Sequence, residues 1–173
     1  MKRRHPIDNL WWVVLGFVAI AATMLGTEMG KSKSDPISAE AAPPNIMVVY
    51  KSPTCSCCSK WVEHLRKSGF RVEVHDESEM SLVKTRLGVP EELASCHTAI
   101  INGYVIEGHV PADDIKQLLA TRPKAKGLAV PGMPAGSPGM EMGTEVDSYN
   151  VMLIGDGQAP SVFSHHGPSS STP

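Results

Sequence analysis

The stretch Ile46-Met47-Val48-Val49-Tyr50-Lys51-Ser52-Pro53-Thr54-Cys55-Ser56-Cys57-Cys58-Ser59-Lys60-Trp61-Val62-Glu63-His64-Leu65 decides how this chain is read. Its first five residues form an apolar run of strand length. From Ser59 to Ser68 the pattern is helical, with Trp61, Val62 and Leu65 on the inner face and Gly69 as the stop. Three of the chain's four cysteines lie in the tetrapeptide between these two elements. A strand, a turn and a helix N-terminus put sulfur where unpaired amides and the helix dipole favour thiolate, with Lys51 and Lys60 adding weaker support. Cys55 and Cys58 have the Cys-x-x-Cys spacing of a dithiol redox site, and Cys57 supplies one sulfur more than disulfide exchange requires. That surplus points to a soft metal, with Cu(I), zinc and iron-sulfur centres as the choices.

The residues that follow supply the rest of one small domain. Phe70 to His75 alternates as a strand, Glu79 to Leu87 reads as a second helix, and Glu91, Glu92 and Leu93 add a further turn. Ala99 to Ile101 and Tyr104 to Ile106 are joined by Asn102-Gly103, a strong signal for a tight hairpin, and Asp113 to Ala120 is a helix introduced by Pro111. The order β-α-β-α-β-β-α, with a cysteine turn after the first strand, predicts an α/β, thioredoxin-like domain by analogy of element order. The fourth cysteine, Cys96, precedes the third strand with His97 beside it. In that fold the loop entering this strand faces the cysteine turn, so Cys96 completes a four-sulfur site. No proline directly precedes the strand, a departure from ordinary thioredoxins that argues against general disulfide exchange.

Two other chemistries compete with metal binding. An even number of cysteines in an exported protein also suits structural bridging, for example of Cys55 or Cys58 with Cys96, although three cysteines in four residues staple a fold inefficiently. A metal-independent thiol-disulfide oxidoreductase would use Cys55 as nucleophile and Cys58 as resolving thiol. Structural zinc is disfavoured because the spacing lacks two separated ligand pairs.

The flanks bear on location and on the choice of metal. Lys2, Arg3 and Arg4 precede an apolar run from Leu10 to Leu25 that opens with Trp11 and Trp12, so residues 1–26 read as a membrane-targeting helix. The best small-residue cleavage site, Ala39-Glu40-Ala41, lies well past Leu25, which favours a signal anchor over a cleaved signal peptide. Residues 27–45 form a polar, Pro-bearing linker, and 46–122 the domain. A net charge of −2 with no basic stripe recommends no nucleic acid as partner. Residues 123–164 form a Met/Gly/Pro-rich C-terminal extension. Its methionines, among them Met133 and Met140, carry thioethers suited to Cu(I) and poorly suited to zinc, so an arm folding back towards the thiols biases the site to copper. Val151 to Ile154 and Val162-Phe163 read as a late hairpin, and 165–173, beginning with His165-His166, as a disordered tail.

Several motifs together carry a resemblance: Tyr50-Lys51-Ser52-Pro53-Thr54-Cys55-Ser56-Cys57-Cys58-Ser59-Lys60-Trp61, Gly88-Val89-Pro90, Ser95-Cys96-His97-Thr98, Gly103 to Pro111, and Gly127-Leu128-Ala129-Val130-Pro131-Gly132-Met133-Pro134 with Gly136-Ser137-Pro138-Gly139-Met140-Glu141. From Ile46 to the tail the chain closely resembles the CopG-type family, also described as a domain of unknown function and a predicted metal-binding protein. The resemblance implies a periplasmic thioredoxin-like domain, copper binding at the Cys-x-Cys-Cys turn and a role in copper resistance in Gram-negative bacteria. Carried over by position, the thiol ligands are Cys55, Cys57, Cys58 and Cys96, with Met133, Met140 and His97 or His109 as candidates to complete the site. The expected ligand is one or more Cu(I) ions, with Cu(I)/Cu(II) interconversion at the Cys55 and Cys58 dithiol as the enzymatic form of the hypothesis. The expected partners are a copper efflux system or a periplasmic copper carrier, together with the inner membrane through the N-terminal segment. A copper chaperone without redox turnover is the third reading.

Overall fold

A computed structural model of the chain describes residues 46–168. The expected targeting helix (1–26) and the linker (27–45) lie outside the described residues, and among those described no helix is long and apolar enough to cross a membrane.

The chain begins with strand β1 (Ile46–Lys51), which alternates half-buried and buried positions and places Met47 and Val49 in the core. Helix α1 (Ser56–Lys67) follows and buries Cys58, Trp61, Val62 and Leu65, residues spaced three to four apart on one face. It begins three residues earlier than the apolar pattern indicates, because Cys55 serves as the N-cap. Cys57 and Cys58 therefore belong to the first helical turn. Strand β2 (Arg71–Asp76) is an edge, and helix α2 (Met80–Leu87) ends on Gly88 in the left-handed conformation at φ 65°. A single 3-10 turn (Glu91–Leu93) leads to strand β3 (His97–Ile101). Strand β4 (Tyr104–Glu107) returns through Asn102 and Gly103, both at positive φ, as a tight hairpin of this type demands. Helix α3 (Ala112–Thr121) is followed by strands β5 (Ala125–Ala129), β6 (Tyr149–Gly155) and β7 (Ser161–His166).

The strands form one mixed sheet of seven, in the order β2-β1-β3-β4-β5-β6-β7. β1 and β2 run parallel, as do β4 and β5, while every other neighbouring pair is antiparallel. Each parallel pair is joined through a helix, as a parallel connection requires. The main core packs Trp61 and Leu65 of α1 and Ile115 and Leu118 of α3 with Met47, Val49, Ile106 and Leu128 of the sheet.

Two segments differ from expectation. β5 arises where glycine and proline suggested an arm. Its Gly127 lies so close to β4 that a Cβ would fall 1.7 Å from the Val105 carbonyl oxygen, so a residue that reads as linker is required inside the sheet. The sheet consequently continues from β4 through β5 into the β6–β7 hairpin. The second difference concerns His165-His166, which end β7 instead of opening a tail. The His166 ring stacks on Tyr149 with centroids 5.3 Å apart, and its Nε2 lies 2.8 Å from Asp114 Oδ2. Asp114 is nearly buried on α3, so this hairpin gives the carboxylate its partners.

Candidate metal centre

The sheet and α1 bring the four cysteines to one place. Cys55 caps α1: its sulfur accepts from the Cys58 amide at 3.3 Å, and its own amide donates to the Ser52 carbonyl at 3.1 Å. Cys55 and Cys58 are joined as a disulfide, while Cys57 and Cys96 are free thiols, both half-buried. Cys57 Sγ lies 3.4 Å from Cys55 Sγ. Cys96, from the loop entering β3, completes a set of four sulfur atoms that all lie within 4.8 Å of one another. The disulfide is within the turn, so neither of its members bridges to Cys96. Lys51, expected to support thiolate, instead pairs with Asp76 at 2.7 Å.

A second group shares Cys96. Its sulfur lies 3.1 Å from His97 Nδ1 and 3.1 Å from His109 Nε2. His109 Nδ1 is 2.8 Å from the Pro138 carbonyl oxygen, which can only accept. The proton therefore sits on Nδ1, and the Nε2 lone pair faces the thiol. His97 is fully buried, packed under Trp61 with ring centroids 4.3 Å apart and edge-on to His109 at 4.9 Å. Its Nε2 makes no well-formed hydrogen bond. Trp61 is itself anchored by donating from Nε1 to the Val110 carbonyl at 2.9 Å.

Burial sets the protonation of this group. It is the largest influence pushing the Cys96 thiol up to about 12, followed by the neighbouring Cys57. Burial, followed by the proximity of His109 and Lys84, holds His97 well below the usual imidazole range. His109 is also lowered by burial, against the opposing influence of the Pro138 carbonyl and Glu141. Both imidazoles are thus neutral at neutral pH, with lone pairs that no proton contests. Two free thiols, a reducible dithiol and two neutral imidazoles are the donor set of a soft or borderline transition metal.

The methionines divide. Met140 is buried in the loop that follows Ser137, whose carbonyl accepts from the Met140 amide at 2.8 Å. This loop lies directly on the cysteine turn: at Gly139, φ +88°, a Cβ would stand 2.8 Å from the Cys57 carbonyl oxygen and 2.8 Å from the Trp61 nitrogen. Met133, by contrast, is 54% exposed on a surface cleft that it shares with Pro131, Tyr149 and Met152.

Sequence reasoning missed the buried ionic group beneath the Cys96 loop. Glu107, fully buried at the end of β4, accepts from Lys84 Nζ at 2.5 Å and from the Ser95 amide at 2.6 Å through Oε1, and from the Thr98 hydroxyl at 2.7 Å through Oε2. Lys84 also donates to Thr98 Oγ1 at 3.0 Å. The available clue was a carboxylate closing an otherwise apolar strand immediately before Gly108-His109. A lone glutamate at a strand end ordinarily faces solvent, so the clue could not outweigh that expectation.

Comparison with known proteins gives a consistent set of likenesses. No curated protein sequence matches the chain. A family described as a protein of unknown function, DUF411, matches residues 93–140, which include Cys96, His97, His109, Met133 and Met140. Among solved structures, one described as copper resistance protein copG, form 2, shares 46% identity over 72% of this chain and 99% of its own, with a TM-score of 0.68. Form 1 of the same description shares 47% identity over 72% of this chain and 98% of its own, with a TM-score of 0.67.

Proposed function

The chain belongs to the family of the copper resistance protein CopG, and on that premise we propose that it is an exported copper-binding protein of copper resistance. Cys55, Cys57, Cys58 and Cys96 hold Cu(I). The single observation that carries this reading is the convergence of the four sulfur atoms within 4.8 Å. Thiolates are soft ligands suited to Cu(I), and four of them exceed the needs of one two- or three-coordinate ion, so more than one copper per chain is expected. The proposal includes a thioredoxin-like description of residues 46–122, which rests on the order β2-β1-β3-β4 with β3 antiparallel to its neighbours. Residues 123–164 supply Met140 and the loop over the thiols. Export places the domain in the periplasm, held at the inner membrane by residues 1–26 or released by cleavage of that segment. A copper efflux system or periplasmic carrier is the partner such a location calls for.

The Cys55–Cys58 disulfide gives the proposal a redox form. Reducing it to two thiolates takes two electrons, the number released when two Cu(I) ions become Cu(II), so the dithiol and two copper ions balance. The same disulfide favours the second reading, a metal-independent oxidoreductase in which Cys55 is attacked and Cys58 leaves.

The deciding experiment is an anaerobic titration of the reduced chain with Cu(I) against a competing chelator, reading bound copper and free thiols together. One or more equivalents retained, with loss of titratable thiols, establishes the thiolate site. No retained copper, with disulfide reductase activity that survives the chelator, establishes the second reading instead.

A further inference from the structure

Three of the four sulfurs owe their places to one helix, and the fourth to a loop. Cys55 is the N-cap of α1, and Cys57 and Cys58 lie in its first turn. Cys96 comes from residues 94–96, which form neither helix nor strand. The residue that ties this loop down is Ser95. Its amide donates to Glu107 Oε1 at 2.6 Å, and its hydroxyl donates to the Gly132 carbonyl. The Gly132 amide in turn donates to the Ala94 carbonyl at 3.3 Å. At Gly108, φ +71°, a Cβ would stand 2.6 Å from the Ser95 side chain, so the strand end leaves room for Ser95 and for nothing more.

We propose that Glu107 and Ser95 are positioning residues for Cys96, the carboxylate through the Ser95 amide and the hydroxyl through Gly132, and that they keep Cys96 Sγ within reach of the sulfurs on α1. Neither side chain is itself a ligand in this account. The proposal deepens the copper reading and rests on it for the ion, whereas the placement of the thiol is a property of the metal-free chain.

The energetics of the ion pair carry the inference. Desolvation offsets the attraction between buried charges, and an apolar pair of similar volume is often as stable or more so. The Lys84 and Glu107 side chains are 14% and 0% exposed, so this pair bears that cost in full. Lys84 bonds to Oε1 and to Thr98, and Thr98 donates to Oε2, so these three side chains form a closed group. The bond to the Ser95 amide is the one that leaves this group for the thiol loop. An apolar side chain at position 107 fills space but accepts nothing from that amide. Binding constellations need their groups held to within about 0.5 Å, and loss of an outer-shell partner costs roughly 10–100-fold in metal affinity. A buried carboxylate that adds little net stability is therefore accounted for by the loop it holds.

The test asks whether thiol placement and stability separate. Full chains carrying Glu107→Gln, Lys84→Met with Glu107→Leu, or Ser95→Ala are compared with wild type in three measurements. These are urea denaturation, Cu(I) affinity of the reduced chain against a competing chelator, and the alkylation rate of Cys96 without metal. The alkylation chains also carry Cys57→Ser with the Cys55–Cys58 bridge closed, which leaves Cys96 as the one free thiol. Glutamine keeps an oxygen that accepts from the Ser95 amide, and the Thr98 hydroxyl can accept from its amide nitrogen, whereas leucine offers neither. The expected order is therefore reversed between readouts. The double variant should be the more stable of the two Glu107 chains, yet alkylate faster and bind Cu(I) roughly 10–100-fold more weakly than wild type, with Glu107→Gln losing less of both. Ser95→Ala leaves the ion pair intact and should speed alkylation several-fold with little change in the urea midpoint. Affinity and alkylation that simply follow stability overturn the proposal, as does wild-type alkylation in the Ser95→Ala chain, which decides the matter even if the double variant fails to fold. A wild-type chain that takes up no Cu(I) removes the copper reading alone, because the alkylation order still reports where Cys96 is held.

Discussion

Glu107 Oε1 lies 2.6 Å from the backbone nitrogen of Ser95, so a carboxylate at the end of β4 holds the residue that precedes Cys96. The same oxygen accepts from Lys84 of α2 at 2.5 Å, and the carboxylate is fully buried. One ion pair thus ties a helix, two strands and the thiol-bearing loop together. Glu107→Gln leaves Lys84, itself mostly buried, without its counter-charge. The expected loss is about 3–5 kcal/mol of unfolding free energy, read by urea denaturation. Replacing both residues, Lys84→Met with Glu107→Leu, should recover much of that loss, because removing the second charge also removes its uncompensated burial. A double variant as unstable as the single one would show that the hydrogen bonds to Ser95 and Thr98, and not the charge pair, dominate.

Gly139 is the point at which the methionine loop meets the cysteine turn. The atoms its Cβ would strike belong to the backbone of α1, which cannot swing aside, and its positive φ disfavours any side chain. Gly139→Ala should therefore lift the loop, costing about 1–3 kcal/mol and speeding alkylation of Cys57. Wild-type alkylation kinetics in a folded Gly139→Ala chain would mean that this contact does not shield the thiols.

His64 supplies a pH dependence away from the metal centre. Its Nε2 accepts from the Ala112 amide at 3.2 Å, so the neutral ring supports the start of α3. Burial lowers its pKa from 6.5, with Glu141 and Asp113 pulling weakly the other way. Since the folded form binds its proton less readily than the unfolded form, unfolding takes up protons below the unfolded pKa, and stability falls as pH drops through and below 6.5. The urea midpoint should decline between about pH 7.5 and pH 5.5, and His64→Gln should flatten that decline. Because His97 and His109 are lowered in the same direction, the informative quantity is the difference in slope between wild type and variant. Equal slopes would remove His64 from the account.

Cys57 distinguishes copper chemistry from simple exchange. Cys55 and Cys58 already pair with each other, so a dithiol mechanism does not need Cys57, whereas the proposed site holding more than one copper through four thiolates does. Cys57→Ser should sharply reduce the copper bound per reduced chain while leaving the Cys55–Cys58 bridge able to form. Wild-type copper content in this variant would exclude its sulfur as a ligand.

Reduction should act in the same direction. With the disulfide closed, only Cys57 and Cys96 are free to ligate as thiolates. Copper bound per chain should therefore be lower before treatment with a reductant than after it, measured on the same preparation. Equal loading in both states would place the copper on groups other than Cys55 and Cys58.

The sequence by itself determined the elements through α3 and the turn at which the cysteines gather. Periodicity marks β1 and α1, Asn102-Gly103 marks the hairpin, and three cysteines in four residues mark the site, because each of these signals is local. The late hairpin was legible in the same way, from Val151 to Ile154 and Val162-Phe163. Only the tertiary structure decided what depends on contacts between distant segments. β5 was hidden because Gly127 reads as linker until the Val105 backbone occupies the space a side chain would fill. His165-His166 read as tail because nothing nearby in sequence shows that buried Asp114 waits for a partner from β7. Glu107 carried no local mark, since a charge becomes structural only when Lys84, Ser95 and Thr98 close around it. His97 was legible as a histidine beside a cysteine and His109 only through the family resemblance, and their joint aim at one sulfur is set by the β3–β4 register and the Pro138 carbonyl. A sequence displays the donors in order along the chain, whereas ligation depends on their directions in space, and those directions are fixed by packing.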